Sequence, residues 1–514
     1  MAQVDAVVIG AGPNGLVAAN LLADQGWDVL VLEAQPEPGG AVRSAELTKP
    51  GYAHDVFSSF YPLGAASPVL RQLRLEDHGL RWRRAPLVLA HPVPDGRCAV
   101  LSTDLDETAA SLDTFAPGDG DAWRELYDLW DRLGDDVVQA LLRPFPPVGP
   151  AARLLGRLRP TEVLRFVRFV LLPVRRMAEE AFQGEGGRLL LAGNALHADL
   201  APETAGSGIF GWLLSALGQQ LGFPVPEGGA GRLTDALVNR LQHAGGTLRT
   251  DTAVTGIEVE HGRAVAVRTA AGETIWARRA ILADVGAPAL YQRLLPAEVV
   301  PERTRRDLRH FQYDNGTVKV DWAIDGEVPW TAEQARQAGT VHVADSLNHL
   351  TAAAAHLASG RIPATPFLLM GQMHVADPTR SPAGTGTVWA YTHVPNGARL
   401  EGPELERFAD HMEELVEAYA PGFRQCVTAR HVMGPADLEA RNANLVGGAI
   451  NGGTAALYQQ LVFRPVPGFR TATTPIGGLY LASASAHPGG GVHGACGANA
   501  AHAALRGRGL SRRL

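Results

Sequence analysis

Thiols are scarce in this chain of 514 residues: its three cysteines, Cys98, Cys426 and Cys496, lie far apart in sequence. Without a disulfide framework or a CxxC pair, dithiol redox chemistry is excluded. Lysine is scarcer still, at Lys49 and Lys319 alone, and arginine carries the remaining basic charge. With a formal net charge of -7, the chain lacks the long-range attraction of a nucleic-acid binder, so no nucleic-acid partner is expected. Arg, Gly or Pro breaks every apolar run short of a membrane span. The opening "MAQVDAVVIG" has no basic and long apolar leader, which predicts a cytoplasmic protein. Histidines such as His197 and His374 show no metal-ligand spacing, so no metal is expected.

What the chain does have is apolar content, at 46%, enough for one large core or two smaller ones. Two domains are expected. Near the start, "VDAVVIGAGPNGLVAANLLADQGWDVLVLEA" runs from a β-branched strand through Gly10, Gly12 and Gly15 into an Ala/Leu-rich helix and back to a strand. This is a βαβ unit with GxGxxG spacing. Gly10 allows the tight turn, Gly12 lets a pyrophosphate approach the backbone, and Gly15 lets helix and strand pack, while Pro13 opens the helix. Glu33, followed by Ala34, stands where a carboxylate accepts hydrogen bonds from ribose hydroxyls. Dinucleotide binding follows.

Further on, "QPEPGGAVRS" places Gly39 and Gly40 before Arg43. Near the other end, "GGLYLASASAHPGGGVHGACGANAAHAAL" reads as a buried strand from Leu479 to Ser483, a glycine-rich loop and an alanine-rich helix beginning near Gly491. With "PEGGAGRLTDAL" and "TVKVDWAI" between them, these segments make nearly the whole chain resemble the phytoene desaturase-related FAD-dependent oxidoreductases, a family that includes carotenoid desaturase- and ketolase-like proteins. Two departures stand out. Asn451 occupies a position where many relatives have histidine, and "ASAS" replaces a glycine-bearing triplet before the HPGGG loop.

The resemblance implies an α/β fold: a Rossmann-like FAD-binding domain of the glutathione reductase/amine oxidase type, with an interleaved α+β substrate domain. The FAD domain would comprise residues 1–75, 225–287 and 473–514, and the substrate domain residues 76–224 and 288–472. It also implies that the Gly39–Gly40 pair and Arg43 carry the chain past the flavin's pyrophosphate and ribityl side, and that the backbone at Val254 meets adenine. The backbone of Gly490, Gly491 and Val492 would face the flavin's N1 and O2 edge and stabilise charge developing there. Within 225–287, a helix, a short strand ending near Val254 and a hairpin centred on "EHGRAVAV" are expected.

Three side chains are candidates for chemistry. Lys319 shares a strand face with Asp321 and can hold a water or stabilise charge near reduced flavin. His487 and His493 flank the glycine-rich loop and can move a proton near neutral pH. Cys496, by contrast, stands near a helix start that can lower its pKa, but with no partner thiol it is assigned no redox role. From Thr161 to Met177, apolar residues alternate with arginines at near-helical spacing up to Pro173, consistent with a solvated helix face or with peripheral contact at a membrane.

Three functions remain open from sequence. The resemblance implies removal of a hydride from an apolar, isoprenoid- or lipid-like substrate to flavin N5. The alternatives are oxidation of an amine, for which "VDWAI" and "TVWAY" supply aromatics, and a flavin-fold protein acting as a binding or regulatory partner. No second GxGxxG with its own acid is present, so oxygen or a quinone is the expected electron acceptor.

Overall fold

Two seven-stranded sheets organise the described residues. The structure, a computed structural model, describes residues 3–468 and 471–507. The ends of the expected FAD-domain segments, residues 1–2 and 508–514, and residues 469–470 of the second substrate segment lie outside the described residues.

The first sheet is built on strands Gln3–Ile9, Val29–Leu32 and Thr274–Ala283. Gln3–Ile9 pairs in parallel with the other two. Thr247–Arg249 extends the sheet beyond Val29–Leu32, and Leu479–Leu481 pairs with the end of Thr274–Ala283, both in parallel. An antiparallel hairpin, Val254–Glu260 with Arg263–Thr269, joins the start of Thr274–Ala283. Such strands are covered on both faces, which is why they read as continuous apolar runs. Alternation then sorts their side chains: Ala6 and Val8 meet helices Pro13–Ala23, Gly231–His243 and Ala495–Arg506, while Val7 and Ile9 meet the hairpin side.

Two boundaries differ from the sequence reading. The short strand ends at Arg249, and Val254 opens the hairpin. The last helix starts at Ala495, because Gly491, Val492 and Gly494 have φ of +119°, +51° and +70°. Left-handed residues cannot lie inside a right-handed helix.

The second sheet takes its strands from Leu87–Leu101 and from Gly316–Met433. Its longest pairing aligns Gly316–Asp325 antiparallel to Thr385–Val394 over ten residue pairs. Helices Asp119–Leu142, Glu185–Leu196 and Ser207–Leu221 cover one face, with Trp123, Trp130 and Trp212 buried among them. The expected helix after Pro160 runs from Pro160 to Leu171, and Pro173 separates it from Val174–Ala181. None of its residues is buried. Together with the preceding helix, Val148–Arg157, it exposes Val148, Leu155, Leu164, Val167 and Leu171. Among the described residues no helix is long and apolar enough to cross a membrane.

Helix Ala495–Arg506 crosses Pro13–Ala23 at Gly497, where a Cβ would stand 1.9 Å from the carbonyl oxygen of Asn14. Relieving that overlap requires the two helices to separate. Gly497→Ala is therefore expected to destabilise the protein by about 3 kcal/mol or more, the upper range for overpacking. Gly156→Ala, on an exposed helix where a Cβ meets nothing within 4 Å, is expected to stabilise by about 0.5–1 kcal/mol. Denaturant titrations of both variants check the pair.

Candidate functional site

The carboxyl end of strand Gln3–Ile9 turns at Gly10, whose φ is +95°, and Gly12 then leads into helix Pro13–Ala23 with no side-chain cap. The open N–H groups and the dipole of that helix end suit an anion. Glu33 braces the turn: its carboxylate accepts the N–H of Ala11 at 2.7 Å and that of Gln35 at 2.9 Å. Its own backbone is held between Arg249 and Thr252, so Ala34 is exposed on a loop beside the segment that leads to Val254. The glycine pair lies across the turn, since Gly39 donates to the Ala11 carbonyl and a Cβ on Gly40 would come within 3.0 Å of the Gly12 Cα. Arg43 points its guanidinium back onto the Gly40 and Arg441 carbonyls.

A cleft of about 100 Å³ starts at Gly12, Pro13 and Gly40 and ends at Gly490, Gly491 and Val492. A second cavity, of about 190 Å³, begins at the same Gly490 and Gly491. Its far walls are largely apolar, with Phe60, Leu141, Phe210, Leu213 and Leu214 among them. The structure thus brings the two ends of the expected cofactor set, Gly12 and Gly490–Val492, to one cleft and sets a side chamber against one end of it.

The expected catalytic side chains fare differently. His493 lines the side cavity, accepts the Ala495 N–H on Nδ1, and is pushed down to about 4 by burial. His487 is also pushed down to about 4 by burial, and its Nε2 lies 2.9 Å from the Arg143 carbonyl oxygen. Both rings are therefore neutral at neutral pH, which corrects the expectation that they exchange a proton there. Lys319 is buried on the second sheet, ion-paired with Asp321, and 5.9 Å from the Trp389 ring centroid. It lines neither the cleft nor the cavity, and the ion pair with Asp321 is what holds its ammonium group. Cys496 is buried with Sγ against the Ala486 and Gly489 carbonyls, and burial pushes its thiol up to about 12. This reverses the expected activation by the helix start. Trp322 bonds Glu413, and Trp389 stacks on Tyr391; neither "VDWAI" nor "TVWAY" contributes an aromatic to the cavity.

Three residues at the site escaped the sequence reading. Asp284 follows strand Thr274–Ala283 and accepts the Gly15 N–H at 2.8 Å inside the glycine turn. Its position at the carboxyl end of a parallel strand beside the first was a usable signal. His197 lines the cavity, with Nε2 2.9 Å from Nε2 of His342, and burial pushes it down to about 4. Arg464 is 1% exposed and donates to the carbonyls of Asn451, Gly453, Thr454 and Ala484. Nothing local marks an arginine in a proline-flanked loop as buried. Among the described residues no cluster of His, Cys, Asp or Glu could hold a metal.

The cleft fits a dinucleotide by three observations: an uncapped helix start, glycines where any Cβ would fill the turn, and a carboxylate on the neighbouring loop. Gly12→Val should give soluble, flavin-free protein, because even one Cβ there would lie 2.6 Å from Oδ2 of Asp284. Glu33→Ala should weaken FAD retention by about 1.5–3 kcal/mol, the scale of a hydrogen bond to a charged group. Flavin absorbance per mole of purified protein measures both.

Comparison with known proteins agrees with this cleft. Residues 14–504 match the model of the family described as flavin containing amine oxidoreductase. The chain is 30% identical to "Pyridine nucleotide-disulfide oxidoreductase domain-containing protein 2" of Rattus norvegicus, over 98% of this chain and 94% of that one. It is 27% identical to the all-trans-zeta-carotene desaturase of Myxococcus xanthus, over 95% and 90%. Among solved structures, an oxidoreductase from Methanosarcina mazei superposes with a TM-score of 0.63 at 16% identity, covering 98% and 100%. Cyclohexylamine oxidase from Brevibacterium oxydans does so with a TM-score of 0.61 at 18% identity, covering 99% of each chain. At these identities the structures share the fold. The chain belongs to the flavin-containing amine oxidoreductase family and is an FAD-dependent oxidoreductase.

Proposed function

We propose that this protein is a dehydrogenase of the desaturase type, acting on an apolar, isoprenoid- or lipid-like substrate. The observation that carries the reading is the wall shared by cleft and cavity at Gly490 and Gly491. FAD held in the cleft supplies a hydride acceptor at N5. Phe60, Phe210, Leu213 and Leu214 hold the substrate chain by burial, worth about 0.8 kcal/mol per CH₂, and keep water away. One substrate carbon loses hydride, and the adjacent carbon loses a proton to the neutral imidazole of His197, since the Nδ1 of His493 is already taken by the Ala495 N–H. The electron pair of the second C–H bond becomes the double bond. The substrate gives up two electrons, which the bound cofactor would accept and oxygen or a quinone would take onward. The Arg464 guanidinium, in the cavity wall, favours negative charge developing beside it.

The cavity's charges argue against a protonated amine as substrate. Its lining holds Arg464 but no Asp or Glu among the described residues, so an ammonium group would meet a cation and no counterion. The relative from Myxococcus xanthus, a carotene desaturase by name, supports the apolar reading. The exposed residues Leu164, Val167 and Leu171, beside Arg165 and Arg168, fit peripheral contact with a lipid surface from which such a substrate is drawn.

Anaerobic mixing with an acyclic polyene in phosphatidylcholine vesicles should bleach the bound flavin, whereas benzylamine should leave it oxidised. Leu214→Glu, in the cavity wall, should slow that bleaching by about tenfold or more with FAD content unchanged, since burying an unpaired carboxylate there costs several kcal/mol. Bleaching by the amine and none by the polyene would contradict the proposal.

A further inference from the structure

The Asp284 carboxyl occupies an unusual place for an acid. It is 7% exposed, its Oδ2 accepts the Gly15 N–H at 2.8 Å, and it lines the cleft together with Gly12 and Pro13. A Cβ on Gly12 would stand only 2.6 Å from that oxygen, so the carboxyl lies against the turn at which a pyrophosphate docks. Its backbone cannot retreat: the Asp284 N–H donates to Ile9, and its carbonyl accepts from Asn444 Nδ2. No lysine or arginine forms an ion pair with it among the described residues. The groups that face it are the Glu33 carboxylate, which repels a second negative charge, and the Cys496 thiol, which burial keeps neutral. Helix Pro13–Ala23 contributes no ionisable side chain.

Two anions cannot share a dry cradle without a cation between them. We propose that Asp284 makes FAD binding proton-linked: the carboxyl takes up a proton as the pyrophosphate docks, and the neutral acid then faces the phosphate without repulsion. The inference rests on FAD binding at this cleft. Even before the cofactor is considered, burial first and Glu33 second push Asp284 up to about 7, against the opposing pull of the Gly15 N–H. A dianion nearby raises it further. The sign follows. Below about pH 7 the carboxyl is already protonated and binding is independent of pH; above it, each FAD bound must recruit a proton, so affinity falls as pH rises.

Equilibrium dialysis of the holoprotein, with free FAD read by fluorescence, tests this. The dissociation constant of the natural chain should rise about 30-fold from about pH 6 to about pH 8.5, approaching tenfold per pH unit. Asp284→Asn keeps an oxygen for the Gly15 N–H and cannot ionise, so its constant should stay within about twofold across the same range. Asp284→Ala, which also gives up the hydrogen bond, should be equally flat but weaker. Calorimetric titration of FAD into stripped protein near pH 7.5, in two buffers of different ionisation enthalpy, should show proton uptake by the natural chain and none by Asp284→Asn. A flat profile for the natural chain, or an equal slope in Asp284→Asn, overturns the inference while leaving FAD binding intact. Failure of both proteins to retain FAD near pH 6 would instead overturn the cleft assignment on which it rests.

Discussion

The uncapped start of helix Pro13–Ala23 is the constraint around which this molecule is arranged. Pro13 has no N–H, so the donors without a partner in the helix are those of Gly12, Asn14 and Gly15, and they are costly to bury unless something accepts them. The chain supplies one acceptor, Asp284, and leaves the rest toward the cleft. Everything that touches this point does so at van der Waals limits. Gly10 meets the Asp284 carbonyl, Gly40 meets the Gly12 Cα, and Gly497 meets the Asn14 carbonyl. Segments from the first, third and last parts of the sequence converge there, and the convergence closes the parallel sheet and shapes the cleft together.

Charge is distributed unevenly along that cleft. Asp284 lines it, with Glu33 behind the glycine turn at the same end; the other end lies near Arg464, a buried cation that donates to carbonyl oxygens and forms no ion pair with a carboxylate among the described residues. Burial lowers Arg464 to about 10, still charged at neutral pH. The Glu33 carboxylate suits the adenosine side of a dinucleotide, whose ribose donates hydrogen bonds, whereas Asp284 lies at the glycine turn itself. A cationic end suits the side where electrons arrive, since a fixed positive charge in a low-dielectric wall stabilises negative charge without reorganising. The histidines nearby are held neutral by burial, so at neutral pH each imidazole is a weak base.

The sequence made the nucleotide half legible because its signals are local. Glycine spacing, strand alternation and helix composition occur within about thirty residues, the span of a βαβ unit. The glycine-rich loop was also visible, but the start of its helix was misplaced, because Val492 and Gly494 take left-handed φ and a side chain on Gly494 would run into Val17 of the first helix, a constraint that local composition does not carry. The cavity was not legible. His197, Arg464 and Gly490 line it from three distant parts of the chain, and no periodicity encodes that meeting. Titration behaviour failed for the same reason. His493 and Cys496 carry their expected chemistry only if solvent or a counter-charge reaches them, and burial removes both. Lys319 looked exceptional by its rarity, yet its partner proved to be Asp321, two residues away on the same strand face.

The central claim is that cofactor and substrate meet across Gly490 and Gly491. A crystal structure of the FAD-loaded protein with a bound polyene analogue tests it most directly. The account predicts the pyrophosphate on the start of helix Pro13–Ala23, the pyrimidine edge of the ring against Gly490–Val492, and the analogue in the cavity walled by Phe60, Phe210 and Leu214. Density for the analogue in the separate chamber bordered by Asp199 and His393, or an isoalloxazine ring directed away from Gly491, would contradict it.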